Sequence, residues 1–155
     1  MKTFAVFSDS HGRRGAVEKI RGVLEESDRI LCLGDGAGEM RALQREFPEK
    51  TYVVKGNCDF GGEDEIVLEE EGVKILLCHG HRYGVKGGIT RLVYRAQELG
   101  CALALYGHTH RADIQTVNGV ICVNPGALSS YTEPSYCYLV IHNGKITPTI
   151  VPLKA

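Results

Sequence analysis

Apolar positions in this chain fall into short runs separated by polar, glycine-rich joints, and the spacing within each run predicts an element. Residues 3–8 (TFAVFS) form a continuous apolar run, as a buried strand does. Across 14–25, Val17, Ile20, Val23 and Leu24 recur at helical spacing. Residues 29–33 read as a second strand, 39–47 as a short helix ended by Pro48, and 51–54 as a third strand. This β-α-β-α-β order implies parallel strands joined by helical crossovers.

The second half changes character. Glu65–Glu70 and Val73–Cys78 flank Glu71-Gly72 and read as a hairpin. Residues 89–99 carry Leu92, Val93, Ala96 and Leu99 on one helical face, and 101–106 (CALALY) form another buried strand. Two further hairpins are predicted where Asn118-Gly119 joins 114–117 to Val120–Asn124, and where Asn143-Gly144 joins 136–141 to 145–151. About nine or ten strands against three helices are too many for one open sheet of this length. Two sheets packed face to face with helices outside fit better. With no repeat, linker or low-complexity tract, a single domain over 1–155 is expected.

Composition narrows the partners. With 155 residues, 43% of them apolar, the chain has material for a sizeable core. A net charge of −1 gives no footprint for stable nucleic-acid binding or for an anionic membrane. No apolar run approaches the ~20 residues of a membrane span, and the amino terminus lacks an apolar stretch of signal-peptide length. The six cysteines (32, 58, 78, 101, 122 and 137) contain no C-x-x-C pair and sit mostly inside apolar runs, as free thiols do. A cytoplasmic location is the expectation, with the oligomeric state left open.

The polar clusters carry the chemistry. Asp9 and His11 follow the first strand, Asp35 the second, and Asn57, Cys58 and Asp59 the third. His79 and His81 follow the apolar run ILLC (ILLCHGH), and His108 and His110 follow LALYG. Five times an apolar strand runs into Gly or Ser and then into ligand-type side chains. Ligands of α/β sheets gather at the carboxyl ends of strands, so these loops are expected to converge on one cleft. Neighbouring glycines would let the backbone approach an ion or phosphate closely. Carboxylate, imidazole and amide oxygen suit a first-row divalent ion: Mn²⁺, Fe²⁺, Zn²⁺, Co²⁺ or Ni²⁺. Two Asp, one Asn and four His exceed what one ion uses. Two ions sharing a bridging carboxylate use them economically and would turn a bridging water into a hydroxide nucleophile.

Taken singly, Asp9 reads as a helix-start carboxylate, and Asp35 and Asn57 read as turn residues. The two H-x-H pairs, both at strand ends, are what weigh against that reading. The ordered set D-x-H, G-D, G-N-C-D, H-G-H and G-H-T-H resembles the calcineurin-like metallophosphoesterases. The match is to their small bacterial and archaeal phosphodiesterase branch, to which vacuolar sorting protein 29 is related. The motifs span Asp9 to His110, and the likeness continues to NPGALS.

The resemblance implies a four-layer α/β/β/α sandwich of two mixed sheets, with the metal site at strand carboxyl ends. It implies one ion held by Asp9, His11 and His110, Asp35 as the bridge, and Asn57, His79 and His108 completing the second ion. Asp35, Asn57 and His81 become the expected catalytic residues, with His81 either beside the phosphate or behind the metal ligands, holding one of them. Two divalent ions per chain, manganese first, and a small-molecule phosphoester substrate follow from the same likeness. Cys58 stands where the larger phosphatases carry a His thought to protonate the leaving group, and a thiol is a poor substitute acid. A phosphodiesterase is therefore expected, with a monophosphatase or a non-catalytic metal-containing scaffold as the alternatives. Asp59 reads equally as a support for Asn57 or as a cap.

Overall fold

The computed structural model describes residues 1–154. Its first half contains β1 (Lys2–Phe7), α1 (Arg14–Lys19), α2 (Arg21–Glu26), β2 (Arg29–Cys32), α3 (Ala37–Glu46) and β3 (Thr51–Val53). Then follow β4 (Glu65–Glu70), β5 (Val73–Cys78), α4 (Thr90–Glu98) and β6 (Leu103–Leu105). The chain ends in β7 (Asp113–Val117), β8 (Val120–Asn124), β9 (Ser135–His142) and β10 (Lys145–Pro152).

The strands form two mixed five-stranded sheets, ordered β10-β9-β1-β2-β3 and β4-β5-β6-β8-β7. In the first, β1, β2 and β3 are parallel, and the β9–β10 hairpin extends the sheet antiparallel beyond β1. In the second, β5, β6 and β8 are parallel, while β4 and β7 pair antiparallel at its two edges.

Strand periodicity explains the layers, because successive side chains point to opposite faces. Phe4, Val6, Leu31 and Leu33 of the first sheet meet Ile75, Leu77, Leu103 and Leu105 of the second in the central core. The alternate residues Ala5, Phe7, Ile30 and Cys32 pack under α1, α2 and α3 through Val17, Leu24, Met40 and Leu43. On the other side, Leu76, Cys78, Ala104 and Cys122 pack under Leu92, Val93 and Ala96 of α4. The result is the expected four-layer sandwich. Apolar runs, rather than alternating ones, mark β1, β2, β5 and β6 because both their faces are covered.

The helix expected over 14–25 is instead two short helices, broken at Ile20. Its φ of −107° and ψ of 12° leave the α region, and its N–H bonds Val17 O at 3.1 Å, one residue short of the helical partner. Gly15 and Gly22 lower helix propensity on both sides, while Ile20 stays buried. The three hairpins form as the turn pairs predict. Asn118-Gly119 and Asn143-Gly144 have positive φ throughout, as a type I′ turn requires, and so does Glu71-Gly72.

Leu105 is fully buried between the sheets on central strand β6. Leu105→Ala is expected to lower the unfolding free energy by about 3 kcal/mol, read from the urea midpoint at unchanged slope.

Candidate metal centre

The carboxyl ends of β1, β2, β3, β5 and β6 lead into five loops, and these bring side chains of both sheets together. Two groups of donor atoms result, each with its members within 4.8 Å of one another: Asp9, His11 and His110, and Asp35, His79 and His108. His110 Nε2 lies 3.1 Å from Asp9 Oδ1, and His11 Nε2 lies 3.3 Å from the same oxygen. His79 Nε2 lies 3.2 Å from Asp35 Oδ2 and 3.8 Å from Asp9 Oδ1. Asp35 Oδ2 is also 3.9 Å from His11 Nε2, so it stands between the groups.

Each carboxylate is held by one oxygen and presents the other. Asp9 Oδ2 accepts from Ser8 Oγ at 2.6 Å and from the His108 backbone N–H at 3.1 Å, which leaves Oδ1 facing the histidines. Asp35 Oδ1 accepts from the Cys58 N–H at 2.8 Å, which leaves Oδ2 facing them. His79 follows the same logic. Its Nδ1 lies 2.7 Å from Leu33 O, a pure acceptor, so Nδ1 carries the proton and Nε2 offers its lone pair to the cluster.

The buried atoms Asp9 Oδ1 and His79 Nε2 have no hydrogen-bond partner. A carboxylate oxygen and an imidazole lone pair facing each other repel, and leaving each unsatisfied costs about 1–3 kcal/mol. A divalent cation satisfies both at once, and the oxygen and nitrogen donors suit a first-row ion. Burial, then the neighbouring His79, lowers the pKa of His108, and the same two causes lower that of His81. Neutral rings are the form a metal needs.

The backbone here is under strain. Asp9, His11, Asp35, His108 and His110 all have φ between 44° and 71°, the left-handed region. Each costs about 1–2 kcal/mol for a residue with a Cβ, though less for Asp. They persist because the loops lock one another. A Cβ on Gly56 would stand 2.1 Å from Asp35 Oδ1, and one on Gly107 would stand 2.1 Å from Ser8 Oγ. Gly56 and Gly107 thus admit the neighbouring loop at a separation no side chain would allow.

Asp59 supplies the main fastening. Its carboxylate accepts from Asp35 N and Gly56 N at 2.8 Å, from Ala37 N at 3.1 Å and from Gly36 N at 3.2 Å. It thus caps α3 from a different loop and ties the Asp35 turn to the Gly56 turn. Burial would raise its pKa, but the four N–H donors outweigh that and hold it below the ordinary carboxylate value. Of the two readings of Asp59, capping is what the structure shows. Glu39 makes a second tie, accepting from Ser10 Oγ at 2.7 Å and from Gly12 N at 2.6 Å. Buried Asn124 donates to Gly107 O at 3.1 Å and to Thr109 Oγ1 at 2.9 Å, and bracing also comes from Ser129 N to Asp9 O at 3.2 Å. Sequence reading missed Glu39 and Asn124 because their partners lie 15 or more positions away in the chain.

The remaining candidates sit at the rim. Asn57 is exposed, and its side-chain amide donates to Cys58 Sγ at 3.6 Å. Cys58 Sγ groups with His11 and Asp35 as a further donor, a contact the sequence did not suggest. Desolvation, then the Asp35 carboxylate, raises the Cys58 pKa, so it stays a neutral thiol. His81 opens a 3₁₀ turn at His81–Tyr83, its ring 5.5 Å from that of His79 and 6.0 Å from that of His108. Its Nδ1 is buried without a partner. All six cysteines are free. No helix among the described residues is long and apolar enough to cross a membrane.

Known proteins resemble this chain in sequence and in fold. YsnB of Bacillus subtilis, named as a probable metallophosphoesterase, is 37% identical over 149 residues, 92% of this chain and 86% of its own. A Streptococcus pneumoniae protein described as a predicted phosphoesterase superposes with a TM-score of 0.84 at 30% identity, over 97% of this chain and 89% of that one. Vps29 of Entamoeba histolytica, solved in complex with zinc, shares the fold at 22% identity with a TM-score of 0.75, covering 97% and 98% of the two chains. Residues 1–144 match the calcineurin-like phosphoesterase superfamily domain, and the chain belongs to that family.

Proposed function

We propose that the chain is a phosphodiesterase working with two divalent ions, manganese first. One is held by Asp9, His11 and His110, the other by Asn57, His79 and His108, with Asp35 between them. The observation that carries this reading is the position of Asp35 Oδ2, 3.2 Å from His79 and 3.9 Å from His11, facing both donor groups at once. When bound, the ions supply Lewis acidity, both to acidify water and to offset charge on the phosphoryl group.

The protein's own residues do the rest. Ser8, the His108 N–H and the Cys58 N–H hold the carboxylates so that one oxygen of each faces inward. Leu33 O fixes His79 in the tautomer that presents Nε2. His81 stands beside the cluster as a neutral ring with an unpaired Nδ1, placed to bind a phosphoryl oxygen. Asn57 contributes its amide from the loop that Asp59 fastens.

The choice of diester follows from Cys58. A monoester has a loose transition state that loads charge on the leaving oxygen. The raised thiol of Cys58 is badly matched to relieve it. A diester with a stable leaving group depends less on such an acid.

Manganese-loaded protein should therefore hydrolyse bis(4-nitrophenyl) phosphate, with about two ions bound per chain by elemental analysis. Asp35→Asn should reduce kcat by roughly a hundredfold or more, an effect of the size seen when an electrostatic catalytic group is removed. Full activity in excess chelator or in Asp35→Asn would exclude this reading.

Asp59 contributes as a positioning residue. Asp59→Asn keeps the shape but turns an N–H₂ group toward backbone donors. It is expected to destabilise the protein by about 2–3 kcal/mol in urea unfolding. It should also weaken manganese binding to the folded protein about tenfold by calorimetry. Unchanged manganese affinity would reduce Asp59 to a plain helix cap.

A further inference from the structure

Between α1, the loop over 128–134 and the segment that follows β10 lies a cavity of about 330 Å³. Its apolar lining comes from Ala16, Leu128 and Pro134, which are buried, and from half-buried Leu153. Arg13, Lys19, Lys154 and Tyr131 stand around these, all exposed. None of these residues belongs to a donor group of the candidate metal centre. The walls are pinned by backbone bonds. Leu128 N donates to Ser8 O at 2.9 Å and Ser129 N to Asp9 O at 3.2 Å, which binds the loop to the end of β1. Leu153 N donates to Pro134 O at 2.8 Å and Lys19 Nζ to Lys154 O at 3.3 Å, which holds the end of the chain against the loop and α1. A site formed in this way avoids the entropic cost of ordering loops around a ligand.

The charges around this cavity have one sign. Arg13, Lys19 and Lys154 line it, and among the described residues no Asp or Glu does. Arg13 and Lys19 donate to backbone carbonyls, Ser129 O at 2.6 Å and Lys154 O at 3.3 Å, and these carry no charge to offset them. Of the nearby acids, Glu18 is engaged by Arg21, and Glu133 lies in the loop without lining the cavity. Arg13 also lies 4.4 Å over the centroid of the Tyr131 ring, a cation–π contact that fixes one face of it. Tyr131 nevertheless stays 79% exposed, so the remainder of the ring is open to stack on a flat ligand.

We propose that this cavity is a binding site, separate from the metal centre, for a small organic anion with a flat aromatic body. The ring rests on Ala16, Leu128 and Leu153 beside Tyr131, and the anionic group meets the Lys19 and Lys154 ammoniums. An apolar cavity of roughly 150 Å³ is enough for a benzene ring, so this one has room for fused rings and a charged group. Apolar contact supplies most of the affinity in such a site, and the few polar groups fix orientation. Here the polar groups at the rim are cations without a lining acid, which selects the sign of the ligand's charge.

Calorimetry on the manganese-loaded full chain tests the site with three probes. Naphthalene-1-carboxylate carries both features, naphthalene-1-carboxamide has the ring without the charge, and acetate has the charge without the ring. Wild type is expected to bind the naphthoate about tenfold tighter than either control, the size of effect that charge-assisted bonds give. The variant carrying Lys19→Gln and Lys154→Gln should bind naphthoate no better than the carboxamide, and raised salt should have the same effect on wild type. Tyr131→Ser should weaken both naphthalene probes and leave acetate unchanged. The three replaced side chains are exposed, so the fold tolerates their loss. Arg13 is kept throughout, because its partner Ser129 braces the Asp9 segment. Equal binding of the three probes by wild type would overturn the site. So would a naphthoate preference that survives in the lysine variant, since the anion would then be held elsewhere, the metal centre included.

Discussion

Four backbone N–H groups converging on the Asp59 carboxylate are the contact on which the candidate centre depends. The Asp35 turn has φ of 57°, a conformation that an Asp tolerates better than most residues but that still costs energy. What holds it is a charged acceptor supplied from the next crossover, with Gly56 packed so closely that a methyl group there would collide with Asp35. Charge-assisted bonds of this kind are roughly twice as strong as neutral ones. One carboxylate therefore starts α3, closes the β2–α3 turn and ties it to the Gly56 turn, beside which the Cys58 N–H takes one oxygen of Asp35 and leaves the other facing the histidines.

The same design recurs around the centre. Asp9 is fixed through Oδ2 by Ser8 and His108, and Glu39 ties the β1–α1 turn to the start of α3. Five donor residues hold left-handed backbone, and the loops surrounding them supply the hydrogen bonds that keep them there. Strain at functional positions is stable only when the surroundings over-determine it. Here they do, and the outcome is a set of orphaned acceptors, Asp9 Oδ1 and His79 Nε2, aimed at a common point.

How much of this was legible in the sequence depends on the range of the interaction. Strands such as β1 and β5 were readable because apolar runs encode burial on both faces, and hairpins were readable because Asn-Gly encodes its own turn. The donor residues were readable because each follows a strand directly. The start of α3 was not. Its expected beginning at residue 39 moved to Ala37 because the cap comes from Asp59, 22 positions away. The break at Ile20 was missed for a related reason: the apolar spacing of Val17, Ile20 and Leu24 suits the sheet beneath whether or not the helix is continuous. Asn124 reads from the sequence only as a turn residue, accepting from Gly126 N, because the two groups it donates to, a glycine carbonyl and a hydroxyl, lie in another loop.

Neither donor group is complete on one sheet. Asp9 and His11 belong to the first sheet and reach His110 of the second, while Asp35 of the first reaches His79 and His108 of the second. The centre therefore exists only when the central core, from Phe4 and Leu31 across to Leu77 and Leu105, is closed. Any cation bound across that seam binds the docked sandwich and not its separated halves, so by mass action it must stabilise the interface that creates it. Hydrophobic packing and ligand chemistry act on the same joint in this protein. The apolar layer brings the two sets of donors within reach, and the repulsion between their unpaired atoms is the part of the joint that packing alone does not relieve.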